Sequence, residues 1–560
     1  MKFTDMKYER VDIESLGKKY ENLTHKVNEA KSQKDVFSSI NEHEILSSHF
    51  STMANIAYIR HSINTQDNFY DTENTYYDEN GPVLQEKITD FMKALLASQF
   101  RKNVEDKYGS LLFTNLEMEL KCFSPEIIPL LQKENNLVSE YQKLIASAQI
   151  DFQEQKLNIS QLGVYKEDKD RDVRKQAYDA EGSFYKHHAD KLDMIFDQLV
   201  KVRTEIANKL GFDSFTQLGY LRRTRNCYTP EMVKSFREQV KRYLVPIVEK
   251  IKSEQAESIN VPSLKLYDDT TFYLNGNPKP AGTPEDILNA GKQMYEQMSP
   301  QTNEFINFMY DNELLDVKSK KGKAVGGYCI NIPDYKAPFI FSNFNGTAGD
   351  VEVLTHEAGH AFADFSVKDF ELEENKNPTM ESCETHSMSM EFFAWPWLDL
   401  FYKDEAQKAK ITHLKGTLIF IPYGCMVDEF QHIVYDKPNL TPSQRNEVWA
   451  SLEKQYRPYL DMNDITFYGE GRGWQRQLHI YHYPFYYIDY CLAQTAALTF
   501  RNIMITDYKD AWERYMKFVN EGGKKTFVEL CHVAGIKTPF DRGALKEIAT
   551  QTEKWLDEQK

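Results

Sequence analysis

The sequence predicts a mostly α-helical protein with one small β-sheet set among the helices. Apolar residues recur every three or four positions through much of the chain. Turn residues thicken in a single region, 262–348, where they bracket short aromatic-rich pieces. No internal repeat or low-complexity linker interrupts this pattern. At 560 residues the chain exceeds what one hydrophobic core organises, so two or more subdomains are expected.

The helices follow from their periodicity. DVFSSINEHEILSSHFSTMANIAYIRHSINTQ (35–66) and GPVLQEKITDFMKALLASQFRKNV (81–104) read as long amphipathic helices. KLDMIFDQLVKVRTEIANKLGF (191–212) places Leu192, Ile195, Phe196, Leu199, Val202, Ile206 and Leu210 on one stripe, with Gly211 as its C-terminal stop. TPEMVKSFREQVKRYLVPIVEKIKSEQ (229–255) reads as another helix. The strand signal is strongest in PFIFSNF (338–344). This divides the chain into a helical N-terminal subdomain, 1–165, and a second part, 166–560, that carries the sheet.

The charge balance, 84 acids against 68 bases for a net −16, excludes a general nucleic-acid binder, because phosphate affinity rests on Lys and Arg. The basic run VKSKKGKA (317–324) reads as a solvated turn. No run of 18 apolar residues is present, so no membrane span is expected, and the N-terminus has no apolar signal core. Seven scattered cysteines without a CxxC pair imply reduced thiols and a cytoplasmic location.

The chemistry centres on VLTHEAGHAF (353–362). NGTAGD supplies a turn and Asp350 a cap for a helix beginning at Val351. His356 and His360, four apart, share one face and can reach a single ion. Glu357 is offset from the pair and can address a water at that ion, which is the mechanism behind H-E-x-x-H. A catalytic zinc takes three protein ligands. Glu381, Glu384, His386 and Glu391 in the following segment NPTMESCETHSMSMEFFAW (377–395) are the candidates for the third. Carboxylates in so apolar a helix are costly unless paired or bound to metal.

Three blocks, GGYCINIPDYKAPFIFSNFNGTAGDVEVLTHEAGHAFADF, ESCETHSMSMEFF and HIYHYPFYYIDYCLAQTAAL, resemble the thimet-type oligopeptidases, family M3, in the oligoendopeptidase F and Pz-peptidase branch. The resemblance covers most of residues 200–555 and implies a two-lobed, clam-like metallopeptidase with a deep central channel and a small sheet beside the zinc-binding helix. It implies one Zn2+ per chain, held by His356, His360 and Glu384, the last lying in ETHS 28 residues after His356. Glu381 matches an acidic family position that can accept a hydrogen bond from a ligating imidazole. His386 stands where the family often has proline and is expected not to ligate.

In HIYHYPFYYIDY, Tyr483, Tyr487 and Tyr490 stand at i, i+4 and i+7, one helical face. Such a stripe is ordinarily core, yet three buried phenols need partners. The resemblance implies that His479 and these tyrosines address the scissile carbonyl, with Tyr486 a rival to Tyr487. YGEGRGW (468–474) is expected to be a mobile loop. GGYC, with Gly326, Gly327 and Tyr328, and the strand PFIFSNF suggest a backbone edge for an extended peptide.

The expected function is therefore zinc-dependent endopeptidase action on short unstructured peptides, with Glu357 as general base. The competing readings are a zinc exopeptidase and a non-catalytic peptide-binding protein. No terminal-charge group and no Gly-x-Met-x-Asn stretch supports the first. An intact Glu357 beside both histidines speaks against the second. Cobalt or manganese could occupy the same ligand set.

Overall fold

The computed structural model describes residues 1–324, 326–344 and 346–560; Val325, and Asn345 of the NGTAGD turn, lie outside the described residues. The chain is predominantly helical, as expected, and forms two compact units, each built from three stretches. One comprises Met1–Leu120, Lys279–Gln407 and Ala496–Ile536; the other comprises Lys121–Pro278, Lys408–Thr495 and Lys537–Lys560. Residues 1–165 are thus themselves shared between the two units. Among the described residues no helix is long and apolar enough to cross a membrane.

The first unit opens with helices Ile13–Asn28, Gln33–Ile63 and Asn68–Ala97, which pack on one another. Each has a side-chain cap. Asp12 accepts from Ser15 N, Asp67 accepts from Phe69 N, and Ser32 with Asp35 forms a reciprocal capping box. Tyr20, Leu23, Val36, Ile40, Leu84 and Phe91 fill the space between them. The single helix expected over 81–104 is broken near Ser98, whose hydroxyl accepts from Phe100 N and so competes with helical bonding. A new helix begins at Arg101.

Three strands lie further along this unit: β1 (Leu315–Lys318), β2 (Tyr328–Ile332) and β3 (Ala337–Phe344). The sheet order is β1-β3-β2, with β3 parallel to β1 and antiparallel to β2. PFIFSNF is therefore the central strand, paired on both sides, and cannot offer the edge expected of it; the edge belongs to β2. The basic run is only partly solvated. Lys323 turns inward to Asp316 Oδ1 at 2.6 Å and lies over the Phe341 ring.

The second unit contains the helix Ala189–Lys209, whose predicted stripe from Leu192 to Ile206 is buried; Gly211 follows at φ +83°. The helix expected over 229–255 contains a π-turn at Val240–Leu244 between Pro230–Gln239 and Val245–Ser258. Pro246 is the cause: it lacks the N–H for the preceding turn, and its ring crowds the carbonyl of Arg242.

Helix Ala348–Ser366, which carries the H-E-x-x-H motif, packs against β3 and β2 and, most extensively, against helix Met380–Phe393. It starts three residues earlier than expected. Asp350 is not the cap but sits in the first turn, where its carboxylate accepts from Gly346 N at 2.6 Å. Gly359 faces the partner helix so closely that a Cβ there would lie 2.7 Å from Ser387 Cα and 3.0 Å from Met390 Cβ. Gly359→Ala is therefore expected to destabilise the protein by about 1–3 kcal/mol through overpacking against backbone. A thermal melting midpoint equal to that of the parent would show that the helices separate freely.

Candidate metal centre and aromatic cluster

The two site helices bring three sequence-distant groups together. One nitrogen each of His356 and His360 and one oxygen of Glu384 all lie within 4.8 Å of one another. Glu384 Oε2 is 3.3 Å from His356 Nε2 and 3.7 Å from His360 Nε2. A tetrahedral ion with ligands at 2.0–2.1 Å separates its donor atoms by about 3.3 Å, so this donor set fits zinc. The imidazoles keep partial exposure while Glu384 is buried, which leaves one side of the site open.

The group behind His356 is Glu391. His356 Nδ1 lies 2.7 Å from Glu391 Oε1, which fixes Nε2 as the ligating atom. Glu381, expected to accept from a ligating imidazole, is not the partner of His356 Nδ1. Glu381 accepts from Thr379 Oγ1 at 2.7 Å. Glu381, Glu384 and Glu391 share one helical face, but Glu381 lies a turn before Glu384 near the helix start and Glu391 two turns beyond it. Ser387 Oγ donates to Glu384 Oε2 at 3.2 Å and holds the third ligand.

His386 is not among the converging groups. It is buried against Phe518, with Nε2 unbonded, and burial pushes its pKa down to about 3. Burial likewise lowers His360 to about 4 and raises Glu357 to about 7. For His356 burial opposes protonation, but bonds to Glu384 and Glu391 outweigh it and raise its pKa. Glu357, half-buried on the same helix, stays outside the ligand set.

Gly326 and Gly327 are exposed and lead into β2. Tyr328 stacks on Phe341 at 4.8 Å and meets the ring of Tyr58 at 5.1 Å.

In the second unit the predicted tyrosine face is interrupted. Helix Leu478–His482 ends before Tyr483, and a new helix, Tyr487–Thr506, begins after Phe485 at φ +64°. Tyr483 therefore does not share a helical face with Tyr487 and Tyr490; it is exposed and stacks on His482. Tyr486 takes its place in the cluster. His479 lies 5.7 Å from Tyr486, 4.9 Å from Tyr487 and 6.2 Å from Tyr490, centroid to centroid. Gln477 Nε2 contacts His479 Nδ1 at 2.9 Å, while its Oε1 accepts from Tyr423 at 2.7 Å. With the amide donating, the imidazole proton sits on Nε2. Burial lowers His479 to about 4, so the ring is neutral at neutral pH. Buried Asp489, paired with Arg225 at 2.9 Å and accepting from Tyr228, anchors the start of the second helix.

The glycine-rich stretch 468–474 is packed, contrary to the mobile loop expected. Trp474 is fully buried and donates to Asn446 Oδ1. A Cβ on Gly471 would lie 2.4 Å from Asn446 O, so this glycine serves close packing. Gln477 and Glu391 were missed as bonding partners of the two histidines. The seven-residue spacing from Glu384 could have revealed Glu391; nothing local marks Gln477.

Residues 3–123 match the peptidase M3 N-terminal domain and residues 164–550 match peptidase family M3. A solved structure of Pz peptidase A with an inhibitor is 46% identical over 100% of this chain and 99% of that one, with a TM-score of 0.94. Oligopeptidase PepF of Bacillus subtilis (strain 168) is 22% identical across 83% of this chain and 73% of its own length. An oligoendopeptidase-F structure from Enterococcus faecium, 16% identical over 98% of each chain with a TM-score of 0.63, shares the fold. The chain belongs to peptidase family M3, in the branch of the oligoendopeptidase F and Pz-peptidase proteins.

Proposed function

We propose that this protein is a zinc-dependent endopeptidase that cuts internal bonds of short, unstructured peptides. The observation that carries the reading is the convergence of His356 Nε2, His360 Nε2 and Glu384 Oε2, with Glu357 on the same helix making no hydrogen bond or ion pair among the described residues. These three residues would hold the ion. When bound, zinc supplies Lewis-acid activation of water and polarisation of the scissile carbonyl.

The protein's own groups do the rest. Glu357 accepts the proton of the attacking water and returns it to the leaving amine. Glu391 fixes the ring of His356, and Ser387 fixes Glu384. The resemblance to the family, rather than any placement of one unit against the other, is what supports an oxyanion-donor role for the His479 Nε2–H and a phenol of the aromatic cluster.

The edge of β2 fits a peptide main chain. Asn331 pairs opposite Pro338, which has no N–H, so Asn331 faces outward, and its carbonyl accepts from Asn55. By alternation Gly327 and Cys329 also face outward, and their main-chain groups make no hydrogen bond outside the sheet among the described residues. Pairing there tolerates many side chains.

Mass spectrometry of products from N- and C-terminally blocked peptides tests the reading. Internal cuts should disappear on chelation and return with zinc; cuts confined to free termini would assign an exopeptidase. Glu357→Gln should retain zinc, measured by elemental analysis, while kcat falls by about 10²–10⁴-fold. Near-parent turnover would remove the base role. Glu391→Gln should weaken zinc binding by about 10–100-fold in a chelator competition. Of Tyr486→Phe and Tyr487→Phe, one should lower kcat by about 10²–10³-fold at unchanged KM. If both match the parent, the phenols have no such role.

A further inference from the structure

The second unit carries a half-open cavity of about 370 Å³, within the range of about 300–1,000 Å³ typical of pockets that bury small ligands. Its apolar wall includes Ile419, Phe420 and Met462. Its charges are unevenly matched. Asp269 is shared by Lys252 at 2.6 Å and Arg457 at 2.8 Å. Glu181, close behind the wall, pairs with Lys166 at 2.5 Å and accepts from the Tyr468 hydroxyl.

Arg476 also lines this cavity and is exposed. Among the described residues it makes no ion pair with any carboxylate; its polar contact is Nη1 to the Tyr468 hydroxyl at 3.4 Å. The remaining acid, Glu453, accepts from Trp449 Nε1 at 2.9 Å. Burial pushes it up to about 7, so near neutrality it is only partly ionised. The wall itself carries two cations, Arg457 and Arg476, and two carboxylates, Asp269 and Glu453; with Lys252, Lys166 and Glu181 behind it, four cations stand against three carboxylates.

A guanidinium at a cavity wall that makes no direct ion pair among the described residues, with Glu181 acting on it only at longer range, matches a planar carboxylate, which it binds through two parallel hydrogen bonds. The cavity also adjoins the aromatic cluster: Tyr487 lines it, and Gln477, the residue after Arg476, contacts His479. We propose that this cavity is a carboxylate subsite for the peptide substrate, with Arg476 as the binding cation. The identification of the ligand as a peptide rests on the endopeptidase reading above. The carboxylate comes from the peptide C-terminus or from an Asp or Glu side chain.

Calorimetric titration of the full-length protein tests this, in the Glu357→Gln background to suppress turnover. Three acetylated peptides of one sequence serve as probes: the free acid, the C-terminal amide, and the amide with one Gln replaced by Glu. At least one carboxylate-bearing probe should bind about 10–100-fold more tightly than the neutral amide. That ratio should fall to about one on adding Arg476→Gln and recover in part with Arg476→Lys. The winning probe names the source of the carboxylate. Equal binding of all three probes, or a preference that survives Arg476→Gln, overturns the proposal. An Arg476-dependent preference in a protein that cleaves no peptide would leave the subsite standing and remove the peptidase reading. Internal cleavage without any acid preference would do the reverse.

Discussion

Everything at the candidate metal centre depends on how closely helix Met380–Phe393 approaches helix Ala348–Ser366. Two imidazoles one turn apart define a line on one helix; the third donor must reach that line from the other. A side chain as short as Glu384 spans the gap only if the backbones are nearly in contact, and Gly359 permits this where any Cβ would collide with Ser387. The glycine costs about 1 kcal/mol of helix propensity relative to alanine, offset by the packing it allows. Once the approach is set, the phase of the second helix follows. Glu384 faces the ligand pair, Glu391 two turns on meets the back of His356, and Ser387 between them bonds Glu384.

This explains which parts of the site were legible. The H-E-x-x-H spacing is a local property of one helix, so His356, His360 and Glu357 could be read from five letters. Glu384 needed the resemblance, because residue spacing alone left four candidates. Choosing between Glu381 and Glu391, which share a face, required knowing which turn of the second helix lies beside His356, and that is a tertiary fact. The strand PFIFSNF was legible as a strand from its aromatic, β-branched character. Its central place was not, since pairing on both sides depends on β1 and β2 arriving from elsewhere in the chain.

The second unit shows where periodicity misleads. Tyr483, Tyr487 and Tyr490 fit a helical face in sequence, but the chain leaves the helix at Tyr483 and turns at Phe485. Pro484 and the residue it follows favour that departure, and the buried Phe485 ring, packed against Tyr220 and His432, locks it. The break rotates Tyr486 into the stacking position on His479 that an unbroken helix would deny it. Likewise, glycines at 469, 471 and 473 suggest mobility in sequence. In the fold they let Met462, Asn446 and Trp449, respectively, approach the backbone.

The two histidine environments solve opposite electrostatic problems with the same device. His356 has carboxylates on both sides, which make it basic and strongly held. His479 has an amide behind it and aromatic rings around it, so burial keeps it neutral and Gln477 sets which nitrogen carries the proton. A carboxylate in place of Gln477 would raise the pKa of His479 and favour an imidazolium. An amide in place of Glu391 would leave His356 a poorer metal ligand. The choice of carboxylate behind one ring and carboxamide behind the other separates a group suited to hold a cation from one suited to donate a single hydrogen bond to a developing anion.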